Sequence, residues 1–131
     1  GDTSAGPGGV YAKDLASGAL TRVLDGNPTT TLGSRTALSF SDDGRKVAYV
    51  EGSGGGQTYR EVPRVLDLVT GARVNAATLT NGTVGNGLTN TNALLSRDGK
   101  TAAFSNNSTN LLGGLSSLGG AELRAYRKLV P

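Results

Sequence analysis

Two phrases of this sequence recur in order, and together they leave few folds open. Ser41-Asp42-Asp43-Gly44-Arg45-Lys46-Val47-Ala48-Tyr49 returns 55 residues later as Ser96-Arg97-Asp98-Gly99-Lys100-Thr101-Ala102-Ala103-Phe104. Val10-Tyr11-Ala12-Lys13-Asp14-Leu15-Ala16-Ser17-Gly18 returns at an offset of 53 as Pro63-Arg64-Val65-Leu66-Asp67-Leu68-Val69-Thr70-Gly71. Distinct phrases that alternate at nearly one period define a chain built as an array of one supersecondary unit.

The composition selects β structure for that unit. Of 131 residues only 36% are hydrophobic and six are Phe or Tyr, so the core has to be made of small aliphatic side chains. The 21 Gly, with abundant Thr, Ser and Asn, suit short strands joined by turns rather than helices. The expectation is an all-β chain of four-stranded antiparallel, propeller-type blades.

The net charge is +3, but the thirteen Lys and Arg are dispersed along the chain. The closest approach to a cluster is Arg124, Arg127 and Lys128. A nucleic-acid footprint needs cations on one face with aromatic platforms, and none is expected. No apolar run approaches the roughly 20 residues of a membrane helix. With no Cys there is no disulfide framework and no thiolate metal site. A chain without Met that starts at Gly1 is expected to have been processed.

Alternation and turn chemistry place the strands. Val10 to Leu15 and Leu20 to Leu24 flank the turn Ala16-Ser17-Gly18 as a hairpin. A polar loop from Asp25 to Ser34 precedes a second hairpin, Thr36 to Phe40 and Lys46 to Glu51, around Asp42-Asp43-Gly44. After the glycine stretch Gly52 to Gln57, Val62 to Leu68 and Arg73 to Leu79 repeat the first hairpin. Ala93 to Ser96 and Thr101 to Ser105 repeat the second, and Leu123 to Val130 resembles the first strand once more. With strands named a, b, c and d, the order is c-d, a-b-c-d, a-b-c, about nine strands. The single domain thus divides into 1–24 (half a blade), 25–79 (a complete blade) and 80–131 (an incomplete one). The a-b and c-d turns are tight and share one end of the blades. The long d-a and b-c loops share the other, where a binding site would belong.

The phrase Ser-x-Asp-Gly-Arg/Lys before a short apolar strand, the Asn-rich stretch Ser105-Asn106-Asn107-Ser108-Thr109-Asn110, and Val-Tyr-x-x-Asp-Leu-x-x-Gly together resemble the TolB-like β-propeller repeat, in its exported actinobacterial form. Gly1-Asp2-Thr3 stands where that form continues its b-c loop. Gly113 to Gly120 departs from the pattern, and Lys128 stands where Asp14 and Asp67 lead one to expect an acid. The resemblance implies an exported protein, in the periplasm, at the cell surface or outside the cell. It carries no activity, because such propellers serve as adaptors, binding platforms and accessory domains alike.

Little more than two blades do not close a propeller, which takes four or more. Unpaired blade edges are templates for another chain. An order that starts c-d and stops at a-b-c lets one copy's first hairpin complete another copy's last blade by strand complementation, giving a ring or a filament. Pooling a-b-c with c-d makes five strands, so one has to be displaced or act as a cap.

Candidate chemistry is sparse. Without His or Cys, Ser-His and Cys-His catalysis are excluded. Asp42, Asp43 and Asp98 hold turn positions that Asp favours for capping backbone N–H groups, and Asp14 and Asp67 end equivalent strands. Glu51 and Glu61, flanking the glycine loop, are the one pair with the makings of a carboxylate dyad. Gly52-Ser53-Gly54-Gly55-Gly56 lacks the Lys-Ser/Thr and helix of a phosphate loop. Asp25-Gly26-Asn27 offers oxygens but no calcium ladder. Tyr59, Arg60 and Arg64 are the candidate contact residues for a protein or glycan. The expectation is a non-enzymatic structural protein without cofactor or metal that associates with itself. The alternatives are a binding platform within a longer propeller and an accessory domain of a secreted hydrolase.

Overall fold

A computed structural model describes residues 9–24, 30–32, 37–54, 59–79, 81–87, 92–111 and 124–131. The described chain is all-β, with ten strands and no helix. They are β1 (Val10–Lys13), β2 (Leu20–Leu24), β3 (Thr30–Leu32), β4 (Ser39–Phe40), β5 (Lys46–Ser53), β6 (Arg60–Asp67), β7 (Arg73–Asn75), β8 (Leu94–Leu95), β9 (Thr101–Asn106) and β10 (Arg124–Leu129). Every pairing is antiparallel, and the strands form three sheets: β1-β2, then β4-β5-β6-β7 with β3 also on β5, then β8-β9-β10. These are the half blade, the complete blade and the three-stranded blade of an incomplete propeller.

The repeat recurs hydrogen bond by hydrogen bond. In the a-b turns, Ser41 Oγ donates to Asp43 Oδ1 and Ser96 Oγ to Asp98 Oδ1, both at 2.6 Å. Each serine hydroxyl also accepts the N–H of the first residue of strand b, Lys46 or Thr101, at 2.9 Å. In the c-d turns, Asp14 Oδ1 accepts from the N–H groups of Ala16 and Ser17, and Asp67 Oδ1 from those of Val69 and Thr70. The turn glycines repeat as well, with φ of 66° at Gly44 and 67° at Gly99, a left-handed conformation that other residues adopt with strain. Thus Ser-x-Asp-Gly and Asp-x-x-x-Gly are turn frames. Arg45 Nε reaches Asp67 Oδ2 at 3.0 Å, which fixes both tight turns of the complete blade at one end.

Burial follows from stacking. Val47, Ala48, Tyr49 and Val50 are each at most 1% exposed, because β5 is covered on both faces. Val47 and Tyr49 pack with Val23, Leu24 and Leu66 toward the half blade. Ala48 and Val50 pack with Val65, Ala76, Ala77, Ala102 and Phe104 toward the third blade. A strand buried on both faces loses the polar alternation of a half-exposed one.

Three differences from the sequence reading bear on the blades. The loop 25–34 contains β3, which extends the complete blade by pairing Thr30–Leu32 with Glu51–Ser53. Strand d is short, since β7 stops at Asn75 and the chain continues through a Thr78–Val84 bridge. The residue at the acid position of β10 is Leu129, not Lys128. Leu129 lies opposite Thr101 as Asp67 lies opposite Lys46, and the N–H of Val130 bonds to the Lys100 carbonyl as that of Leu68 bonds to the Arg45 carbonyl, each at 2.8 Å.

Candidate functional site

At the long-loop end of the complete blade, β5 and β6 form two pairs, Tyr59 with Glu61 and Arg64 with Glu51, on opposite faces of the sheet. Tyr59 OH donates to Glu61 Oε1 at 3.1 Å, and its ring covers Gly52, where any side chain would collide with it. Arg64 Nη2 donates to Glu51 Oε1 at 3.2 Å. Arg64 Nε is buried with no hydrogen-bond partner among the described residues. Arg60 is exposed and its Nη1 turns back to the Tyr59 carbonyl. Of the three candidate contact residues, Tyr59 and Arg64 are therefore engaged by the carboxylates of strands b and c. Those two glutamates are held by different partners. Asp2, Asp25, Asn27 and Glu122 lie outside the described residues, as does the stretch 55–58 of the glycine loop.

The turn acids are similarly committed. The N–H of Thr70, followed by the Arg45 guanidinium and the N–H of Val69, lowers the Asp67 pKa to about 2. The Ser41 and Ser96 hydroxyls hold Asp43 and Asp98 below the usual carboxylate range, and the Ser17 N–H does so for Asp14. These are carboxylates stabilised in the charged form by hydrogen bonds, the opposite of what a general acid needs.

The third blade offers a different kind of site. Its strand c, β10, pairs with β9 through six residues, and no described strand pairs with its other edge. In the complete blade that place belongs to β7. There Arg73 Nη1 donates at 2.6 Å both to the Val23 carbonyl of the preceding blade and to Tyr49 OH, which closes the gap between blades. The repeat equivalents of Val23 and Tyr49 are Ala76 and Phe104. Between them, in the third blade, lies a cavity of about 350 Å³, also lined by Leu79, Leu111 and Lys128. Lys128 Nζ crosses its mouth to the Thr78 carbonyl at 2.6 Å. Among the described residues the site is thus an unpaired backbone ladder beside a recess. The strand order a-b-c of this blade is legible in the sequence, whereas a pocket between Ala76 and Phe104 depends on stacking geometry that no local pattern encodes.

In comparisons with known proteins, no protein-family model matches the chain and no curated protein is significantly similar to it.

Proposed function

We propose that this chain is a non-enzymatic structural protein of β-propeller-repeat type, whose unfinished third blade is completed by a strand from another copy. The observation that carries this reading is the open edge of β10 beside the recess at Phe104. Among the described residues the outer ladder of β10 has no partner, and one added strand would supply it and enter the recess beside it. The non-catalytic part of the reading is supported by the lack of His and Cys and by the commitment of the acids to turns, to Arg64 and to Tyr59. The resemblance to TolB-like repeats adds an exported location to the proposal.

Light scattering across a concentration series tests it, with negative-stain imaging of large species. The expected result is a discrete multimer or a filament. A folded monomer at every concentration would overturn the reading.

A further inference from the structure

Resting on the reading that another copy completes the third blade, we infer that the first hairpin of a second copy, β1-β2, displaces β10 from β9 and builds a complete four-stranded blade, β8-β9-β1-β2, from two chains.

The argument is one of register. Pairing with β9 makes Ala125, Tyr126, Arg127, Lys128, Leu129 and Val130 the equivalents of Pro63, Arg64, Val65, Leu66, Asp67 and Leu68. The 53-residue repeat makes Val10, Tyr11, Ala12, Lys13, Asp14 and Leu15 equivalents of the same six. The strands β1 and β10 therefore compete for one place in the blade, and both read Tyr-x-Lys there. At the acid position β1 fits better. Asp67 is held by Arg45 in the complete blade; the equivalent of Arg45 is Lys100, and β10 sets against it Leu129, which is 70% exposed. The incoming hairpin brings Asp14, with its two turn N–H bonds already made. Lys13, exposed in its own chain, arrives where Lys128 now binds the Thr78 carbonyl, so the lysine contact is conserved.

The fourth strand supplies the second part. Leu20 is paired with Lys13 as Arg73 is paired with Leu66, so Leu20 enters the recess where Arg73 sits one blade earlier. There the chemistry is matched. Arg73 meets the hydroxyl of Tyr49, whereas the equivalent aromatic in the third blade is Phe104, which has none, and Leu20 is apolar. Leu20 and Leu15 are 66% and 92% exposed in the single chain. The same chain's hairpin is not available, because the complete blade stands between it and the third.

The packing of the hairpin on its own complete blade is compatible with this exchange. Val23 and Leu24 stay on their own Tyr49, so the next complete blade follows directly behind the shared one and covers Leu94 and Ala103 of the receiving chain.

Engineered cysteines test this cleanly in a chain that has none. In the shared blade Ala12 of one copy lies opposite Ala103 of the other, and antiparallel pairs about 4.5–5.5 Å apart at Cα accept a disulfide. Mixing full-length Ala12→Cys with full-length Ala103→Cys under oxidation is expected to give the mixed dimer as the main product. If instead Thr21→Cys and Arg127→Cys link, the hairpin adds outside β10 and the displacement is wrong. A multimer that links neither pair would overturn this inference while leaving self-association intact, and a monomer would overturn both. Hydrogen exchange of the unmodified protein provides a second readout. On assembly the amides of residues 125–129 lose protection and those of 10–13 gain it; unchanged protection of residues 125–129 would overturn the displacement.

Discussion

The backbone N–H of Asp42 donates to the carbonyl of Arg97 over 2.8 Å, and the two residues hold the same position in successive repeats. The pair Ala37 and Asn92, also 55 residues apart, is joined in the same way, by a bond of 2.9 Å from the Ala37 N–H to Asn92 Oδ1. Equivalent positions approach one another where the blades converge, along their a strands, as in an arrangement rotated about an axis beside β4 and β8. The a strands are accordingly one place where stacking is fixed by polar contacts.

That arrangement makes Ser39 a stacking residue. Its Oγ accepts the N–H of Leu95 across the blade boundary at 2.9 Å in a part-buried setting. Ser39→Ala leaves that N–H without its acceptor and is expected to destabilise the chain by about 1 kcal/mol. Ser17→Ala, which removes an exposed turn bond of 3.2 Å to Ala19, is expected to have a smaller effect. Urea unfolding of the two variants measures both; equal effects would contradict the stacking role.

Acid should loosen the tight-turn end first. Asp14, Asp43, Asp67 and Asp98 all titrate lower folded than unfolded, Asp67 at about 2. A carboxylate whose folded pKa is depressed contributes stability above its unfolded pKa, near 3.9, and loses it as pH falls through the folded value. Melting temperature is therefore expected to fall between about pH 4 and about pH 2. Asp67→Asn should flatten that dependence, and a melting curve as steep as that of the parent chain would assign the acid sensitivity elsewhere.

Much of this was readable from the residues. Ser41, Asp43 and Gly44 with their equivalents Ser96, Asp98 and Gly99 form a self-contained turn, so every bond that defines it lies within six residues and appears in the local pattern. Strand c of the third blade lies one residue away from where the local pattern puts it, because its register is set by pairing with β9. β3 lacks a local signal because its three residues, Thr30–Leu32, pair with β5, a strand that comes later in the chain. The Tyr59–Glu61 and Arg64–Glu51 contacts were half legible: the residues were noted, whereas their mutual engagement depends on the β5-β6 register, which sets Glu61 opposite Gly52 and Arg64 opposite Tyr49.

Arg73 links two blades through the Tyr49 hydroxyl and the Val23 carbonyl. Tyr49→Phe removes one acceptor of this charged donor and leaves the other, so a loss of about 1.5 kcal/mol is expected. Arg73→Leu removes the donor altogether and strands the Tyr49 hydroxyl in the core, where burial already raises its pKa. The double variant Tyr49→Phe with Arg73→Leu recreates the apolar pairing inferred for Phe104 and Leu20. It should recover part of the Arg73→Leu loss in a double-mutant cycle. Strict additivity would show that the two side chains are not coupled.

Two glycines separate backbone from side-chain constraint. A Cβ at Gly87 would collide with the backbone of Asn107 and Ser108, in a loop whose Gly87 N–H bonds to Ser108 Oγ at 2.8 Å. Neither segment is able to yield without breaking the contacts of Asn86 with Thr109 and Asn110. The nearest atoms to a Cβ at Gly52 all belong to the Tyr59 side chain, a movable neighbour rather than backbone. Gly87→Ala is expected to destabilise by about 2 kcal/mol or more, within the range of overpacking. Gly52→Ala should lose less, and the Tyr59→Ala background should abolish most of its effect. Thermal melts of the four variants decide the matter: a Gly52→Ala loss that persists without the Tyr59 ring would place the constraint in the β5-β6 backbone.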